Sequence, residues 1–152
     1  MHAPPRLLAL GDTAFTVEFA AQPSADIQAR VLGFAAALAE FKGAGKLPGV
    51  IEWVPTFRSV TVHFDPDDCD RRRLAACLEA LAAEGRRATG SGREWVIPVC
   101  FEGEFAPDLD AVAVARGLSR EAVIAQLTAT EFTVCMLGFL PGFPYLGLLP
   151  EW

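Results

Sequence analysis

From Phe132 to Pro150 the chain carries no charged residue, a run nearly long enough to cross a bilayer as a helix. Pro141, Pro144 and Pro150, with Gly138, Gly142 and Gly147, forbid that helix, because each break leaves backbone groups that lipid cannot satisfy. Buried strand and turn are expected instead, and no membrane partner.

The 152 residues suffice for one domain, or for a small domain and part of another, and at 52% hydrophobic they are too apolar for a disordered chain. A formal charge of -6 repels a phosphate backbone, so no nucleic-acid partner is expected. Cys69, Cys77, Cys100 and Cys135 form no CxxC pair, and Met1–Arg6 lacks the apolar core of a signal peptide. A cytoplasmic location is expected.

Leu7–Leu10 and Ala14–Phe19 are β-prone runs joined by Gly11-Asp12-Thr13, the pattern of a hairpin. Ser24 then caps a helix in which Ile27, Val31, Phe34, Leu38 and Phe41 recur at spacings of three and four, before the Gly43, Gly45 and Pro48-Gly49 cluster. Val50–Val54 and Ser59–Phe64 predict a second hairpin around a Pro55-Thr56-Phe57 corner. Asp65-Pro66 predicts the start of a second helix carrying Leu74, Leu78 and Leu81 and ending at Gly85. The order ββαββα indicates an α+β fold with a ferredoxin-like-type sandwich in residues 1–90.

Thr89-Gly90-Ser91-Gly92 has the composition of a linker. A second unit is expected over residues 93–152: a strand at Trp95–Phe101, helices at Asp108–Ala115 and Ser119–Thr130, and a strand at Phe132–Leu137 before the Gly/Pro-rich segment. The two helices joined by Arg116-Gly117-Leu118 superficially suggest a helix-turn-helix, but Glu102, Glu104, Asp108 and Asp110 argue against DNA.

Most chemical motifs dissolve on inspection. Gly43-Ala44-Gly45-Lys46 lacks the distal glycine of a phosphate loop and has Leu47 where a hydroxyl would hold magnesium, so it reads as a helix end. Only His2 and His63 are present, and no metal site is expected. Cys100 and Cys135 lie in apolar runs with no neighbouring base, as structural thiols do. The acidic residues from Glu102 to Asp110 read as a solvated loop before a helix. No catalytic residue is assigned.

Two motifs remain. The corner from Val54 to Ser59 presents Arg58 and Ser59; the Arg58 guanidinium suits a carboxylate or phosphate, or it is an ordinary surface arginine on a structural corner. The loop Leu137–Gly147 places Phe139, Phe143 and Tyr145 on a scaffold that includes Pro141 and Gly142. Such a loop can wall a pocket for a small-molecule substrate, oriented by the Tyr145 hydroxyl and backbone N–H groups, or it can pack as core.

In this order GDTAFTVEF from Gly11, GVIEWVPTFRSVTVHFDP from Gly49, IPVCFEGEFAPDLDAVA from Ile97, GLSREAVI from Gly117 and LGFLPGFPYLG from Leu137 resemble the allophanate hydrolase subunit 1 family. That family includes the B-type component of 5-oxoprolinase and sporulation-kinase inhibitors. The resemblance implies an N-terminal α+β domain followed by a cyclophilin-like β-barrel domain. It also implies a role in an ATP-dependent complex that opens 5-oxoproline to glutamate, with a partner of the subunit 2 family, its C-type component, and a separate A-type component. No cofactor is expected in this chain itself, with ATP implied for the complex. The alternatives are an inhibitor of a sensor histidine kinase, or an inactive fragment. The family's pattern continues beyond Glu151-Trp152, so the barrel is expected to be incomplete here, with self-association through its open edges.

Overall fold

The computed structural model describes residues 5–89 and 92–147. Gly90-Ser91 of the expected linker, and the expected Pro150 break, lie outside these residues. The elements run β1 (Arg6–Leu10), β2 (Ala14–Glu18), α1 (Ala25–Gly43), β3 (Val50–Pro55), β4 (Ser59–Phe64) and α2 (Arg71–Ala83). They continue as α3 (Leu109–Arg116), α4 (Arg120–Ala129), β5 (Val134–Leu137) and β6 (Pro144–Leu146). Described residues up to 89, together with Cys135–Tyr145, form one compact unit; those from 92 to Val134, with Leu146 and Gly147, form a second.

In the first unit the sheet order is β1-β2-β4-β3, antiparallel throughout. Because β2 and β3 both run against β4, they are parallel to each other with β4 between them and α1 connecting them. This is the split βαβ arrangement of ferredoxin-like folds. Alternation on the strands selects one face: Phe15 and Val17 on β2, with Phe19 beyond it, and Val60, Val62 and Phe64 on β4 are all buried. Against that face α1 lays Ile27, Val31, Phe34 and Leu38, and α2 lays Leu74, Leu78 and Leu81, in one continuous core. Phe15 stacks on Phe64 at 5.3 Å, and Phe19 meets Phe34 edge-on at 5.5 Å. On the opposite face, the Thr16 and Thr61 hydroxyls pair across β2 and β4 at 2.9 Å.

The caps define the helix limits. Ser24 Oγ accepts from the Ile27 N–H at 3.2 Å, as expected for α1. The second helix starts later than Asp65-Pro66. Asp65 Oδ1 instead accepts from the Asp67 N–H at 3.0 Å, closing a turn, and Asp70 Oδ1 caps α2 by accepting from Arg72 and Arg73 N–H, both at 3.0 Å. Gly49 shows why the chain needs that turn: its φ is +72°, and a Cβ there would lie 2.7 Å from Cys69 Cβ. At the end of α1, Gly45 takes φ +68° and Lys46 N–H reaches Phe41 O at 2.9 Å, the helix-end geometry expected for the Gly43–Lys46 segment.

In the second unit α3 and α4 meet through Leu109, Ala113 and Val123, with Phe101, Leu118 and Leu127 around them. Ser119 Oγ accepts from Ala122 N–H at 3.1 Å and starts α4. The expected strand at Trp95–Phe101 is not one. No ladder forms there, and Trp95, Val96, Ile97 and Val99 are exposed. β propensity needs a neighbouring strand to be realised, and none among the described residues supplies one. β5 and β6 pair with each other as a two-stranded sheet, so both sheets among the described residues are open. The fold is α+β.

Candidate functional site

The corner between β3 and β4 is a closed turn. Thr56 N–H donates to Ser59 O at 2.8 Å, and the Thr56 and Ser59 hydroxyls lie 2.9 Å apart. The Ser59 hydroxyl is therefore engaged within the corner. Arg58 is engaged as well: its guanidinium donates to Glu18 and, at 2.8 Å, to the Ala20 carbonyl, while its own carbonyl accepts from Phe19 N–H at 2.9 Å. Arg58 thus braces the corner, a role the sequence reading did not assign, with the carboxylate supplied from within the chain. Glu18 also accepts from Arg6, its cross-strand partner on β1. The Arg6 hydrogen bond first, and the Arg58 one second, hold the Glu18 carboxyl below its ordinary range.

The hairpin loop is built from two turns. Leu140-Pro141-Gly142-Phe143 closes with Phe143 N–H on Leu140 O at 3.0 Å, and Gly142 has φ +76°. Proline second and glycine third is the residue pattern of a type II turn. Just before it, Leu140 N–H reaches back to Gly138 O at 2.8 Å, with Phe139 between them at φ +66°. That is a γ-turn carried by a bulky residue in the left-handed region, a strained arrangement. Gly138 N–H donates to Phe143 O at 3.1 Å and ties the loop's base together.

These turns hold Phe139 almost fully in solvent, 84% exposed, and leave Phe143 44% exposed. Phe139 meets Phe143 at 6.0 Å and Phe143 meets Tyr145 at 5.5 Å, both edge-on. Tyr145 in turn meets Phe57 of the corner edge-on at 6.5 Å. The two motifs singled out from sequence are thus joined within the first unit by a row of four rings. Gln28, buried on α1, adds a second tie to the hairpin: its amide donates to Cys135 O at 2.7 Å. Sequence reasoning missed Glu18 and Gln28, and it noted Phe57 only as part of the corner.

The other candidates are placed elsewhere. His63 lies on β4 opposite Ala14 and Glu52. Burial pushes the Cys135 thiol up, as it does Cys69 and Cys77, which disfavours the nucleophilic thiolate; Cys100 is exposed. Asp110 pairs with Arg120 at 2.9 Å. Among the described residues no His/Cys/Asp/Glu cluster could hold a metal, and no helix is long and apolar enough to cross a membrane. An open apolar groove of about 310 Å³ lies in the second unit between Phe101, Phe105, Leu109 and Val123. None of the expected site residues lines it.

The family model described as "Carboxyltransferase domain, subdomain C and D" matches residues 5–152. The chain belongs to that family. Among its curated relatives, the 5-oxoprolinase B-type component of Bacillus subtilis (strain 168) is 37% identical over 155 aligned residues, covering 91% of this chain and 60% of the relative. The protein of the same name from Escherichia coli O157:H7 is 32% identical, covering 96% of this chain and 64% of the relative. These are the relatives to which the sequence motifs pointed. The chain spans less than two thirds of the length of either. A crystal structure of TTHA0988 superposes with a TM-score of 0.71 at 35% identity, over 90% of this chain and 26% of that one. The Kluyveromyces lactis urea amidolyase shares the fold, with a TM-score of 0.61 at 19% identity, over 92% of this chain and 10% of that one.

Proposed function

We propose that the chain serves as part of a 5-oxoprolinase-type complex, opening 5-oxoproline to glutamate together with A-type and C-type partners. The observation that carries this reading is the 37% identity to a protein named as the B-type component of 5-oxoprolinase, over 91% of the chain. It is why the complex is preferred to the kinase-inhibitor alternative. ATP, on this reading, is used elsewhere in the assembly.

The aromatic loop is this chain's contribution to a ligand pocket shared with the C-type partner. Phe139 and Phe143 offer an apolar wall for the methylenes of a five-membered lactam. The N–H groups of Phe139 and Gly142 make no backbone hydrogen bond among the described residues, which leaves them available to a carbonyl or carboxylate oxygen. Donors fixed on a rigid turn can stabilise the oxyanion that develops when an amide carbonyl is attacked. Arg58 supports the site from behind, since Glu18 and Ala20 already occupy its fork.

Co-expression with A-type and C-type partners, purification of the assembly and an assay for ATP-dependent glutamate release test this. Release that needs all components is expected; a stably formed complex that releases none would contradict the reading.

A further inference from the structure

We propose that Glu18 is a positioning residue for the aromatic loop, acting through Arg58 and the corner that Arg58 braces; its functional meaning rests on the loop being the ligand site. Glu18 ends β2, with its side chain only 13% exposed. One carboxylate oxygen takes Arg6 and the other takes Arg58. Arg58 is thereby pinned at three points: by Glu18, by the Ala20 carbonyl at 2.8 Å and by Phe19 N–H on its own carbonyl at 2.9 Å. On the far side of the corner, Thr56 is locked to Ser59 through backbone and hydroxyl.

Phe57 stands between these two fixed residues, so its ring has little freedom to leave Tyr145, which it meets at 6.5 Å. From Tyr145 the row continues to Phe143 and Phe139. The carboxylate therefore sets the corner, the corner sets Phe57, and Phe57 sets the edge of the row that ends at the exposed ring. A charge-assisted brace onto a planar guanidinium is suited to this, because it fixes orientation as well as distance. The outer partner, Arg6, is 68% exposed and both of its side-chain hydrogen bonds here go to Glu18 Oε1, not to the corner, so it serves as the control.

Tyr145 is the only tyrosine in the chain, so selective tyrosine labelling reports this one ring by NMR. Phe57→Leu removes the neighbouring ring and defines the direction in which the Tyr145 signals move. The expected result is that Glu18→Gln moves them in that same direction in a protein that is folded by circular dichroism, while Arg6→Gln leaves them in place. A general loss of stability would lower the melting temperature without moving the ring signals of the folded state. If Glu18→Gln does not fold, Arg58→Lys carries the test, because it keeps the charge and loses the planar fork. A folded Glu18→Gln or Arg58→Lys protein with unchanged Tyr145 signals overturns the proposal, as does a Phe57→Leu protein that leaves them unmoved. In the assembled complex the expected consequence of Glu18→Gln is a several-fold higher KM for 5-oxoproline with kcat little changed. The ring signals need no substrate, so a complex that fails to open 5-oxoproline overturns the functional reading alone.

Discussion

Glu18 gives the chain an acid-sensitive contact. Arg6 and Arg58 hold its folded carboxyl below the ordinary glutamate range, so the stabilisation is present above the unfolded value, about 4.5, and is lost as pH falls through the depressed folded one. Urea unfolding of wild type and Glu18→Gln should therefore differ most near neutrality, and the difference should shrink as pH drops into the range below about 4. The pair Arg6 and Glu18 was legible in principle. Leu10 faces Ala14 across the Gly11-Asp12-Thr13 turn, and counting back along both strands sets Arg6 opposite Glu18. Arg58 was half legible: a guanidinium at a strand corner seeks an anion, but only the sheet order, with β2 beside β4, shows that the anion is Glu18. Gly33 was not legible, since a glycine in mid-helix looks like a defect. A Cβ at Gly33 would lie 2.5 Å from Arg86 O and 2.7 Å from Arg86 C, where the chain after α2 crosses α1 and Ala88 N–H bonds Ala29 O at 2.9 Å. Gly33→Ala should cost about 1–3 kcal/mol, read as a lower denaturant midpoint.

Among elements, those with a strong period and an intact partner were read correctly. The three-and-four spacing of α1 and the alternation of β4 each match a buried face, because the neighbouring element lies in the same unit. The start of α2 was misread because Asp65-Pro66 and Asp70 both look like caps, and Gly49's close approach to Cys69 requires a turn between them. Asp70→Ala should accordingly cost about 1 kcal/mol in thermal or denaturant unfolding. Asp65→Ala, which removes a turn contact rather than a helix cap, should cost less. Trp95–Phe101 was misread for the opposite reason: composition reports the tendency to pair, not the presence of a partner. In the hairpin loop, Pro141 and Gly142 announced their turn, while nothing in the identity of Phe139 announced its positive φ. Strain of that kind is imposed by surrounding bonds, here Leu140 to Gly138 and Gly138 to Phe143.

At the scale of the whole molecule, the large core sits in the first unit, where Phe19, Phe34, Phe64, Leu38 and Leu78 are fully buried. The second unit's buried core is confined to Leu109, Ala113 and Val123 among the described residues. Amide hydrogen exchange should follow this division: slowest in β2, β4, α1 and α2, and fast across residues 95–101, whose N–H groups have no ladder. Uniform protection across both units would contradict it. The loop from Leu137 to Gly147 was readable as an aromatic motif, and the structure shows that Phe139 is not packed as core, since it buries almost nothing. The role in lactam opening that we propose for it is most directly tested by glutamate release from the assembled complex carrying Phe143→Ala, a change at an already half-exposed ring that spares the core. The expected result is normal assembly with at least about a tenfold loss of kcat/KM for 5-oxoproline, roughly 1.4 kcal/mol of transition-state stabilisation. Assembly with wild-type turnover would contradict the placement of the site on this loop.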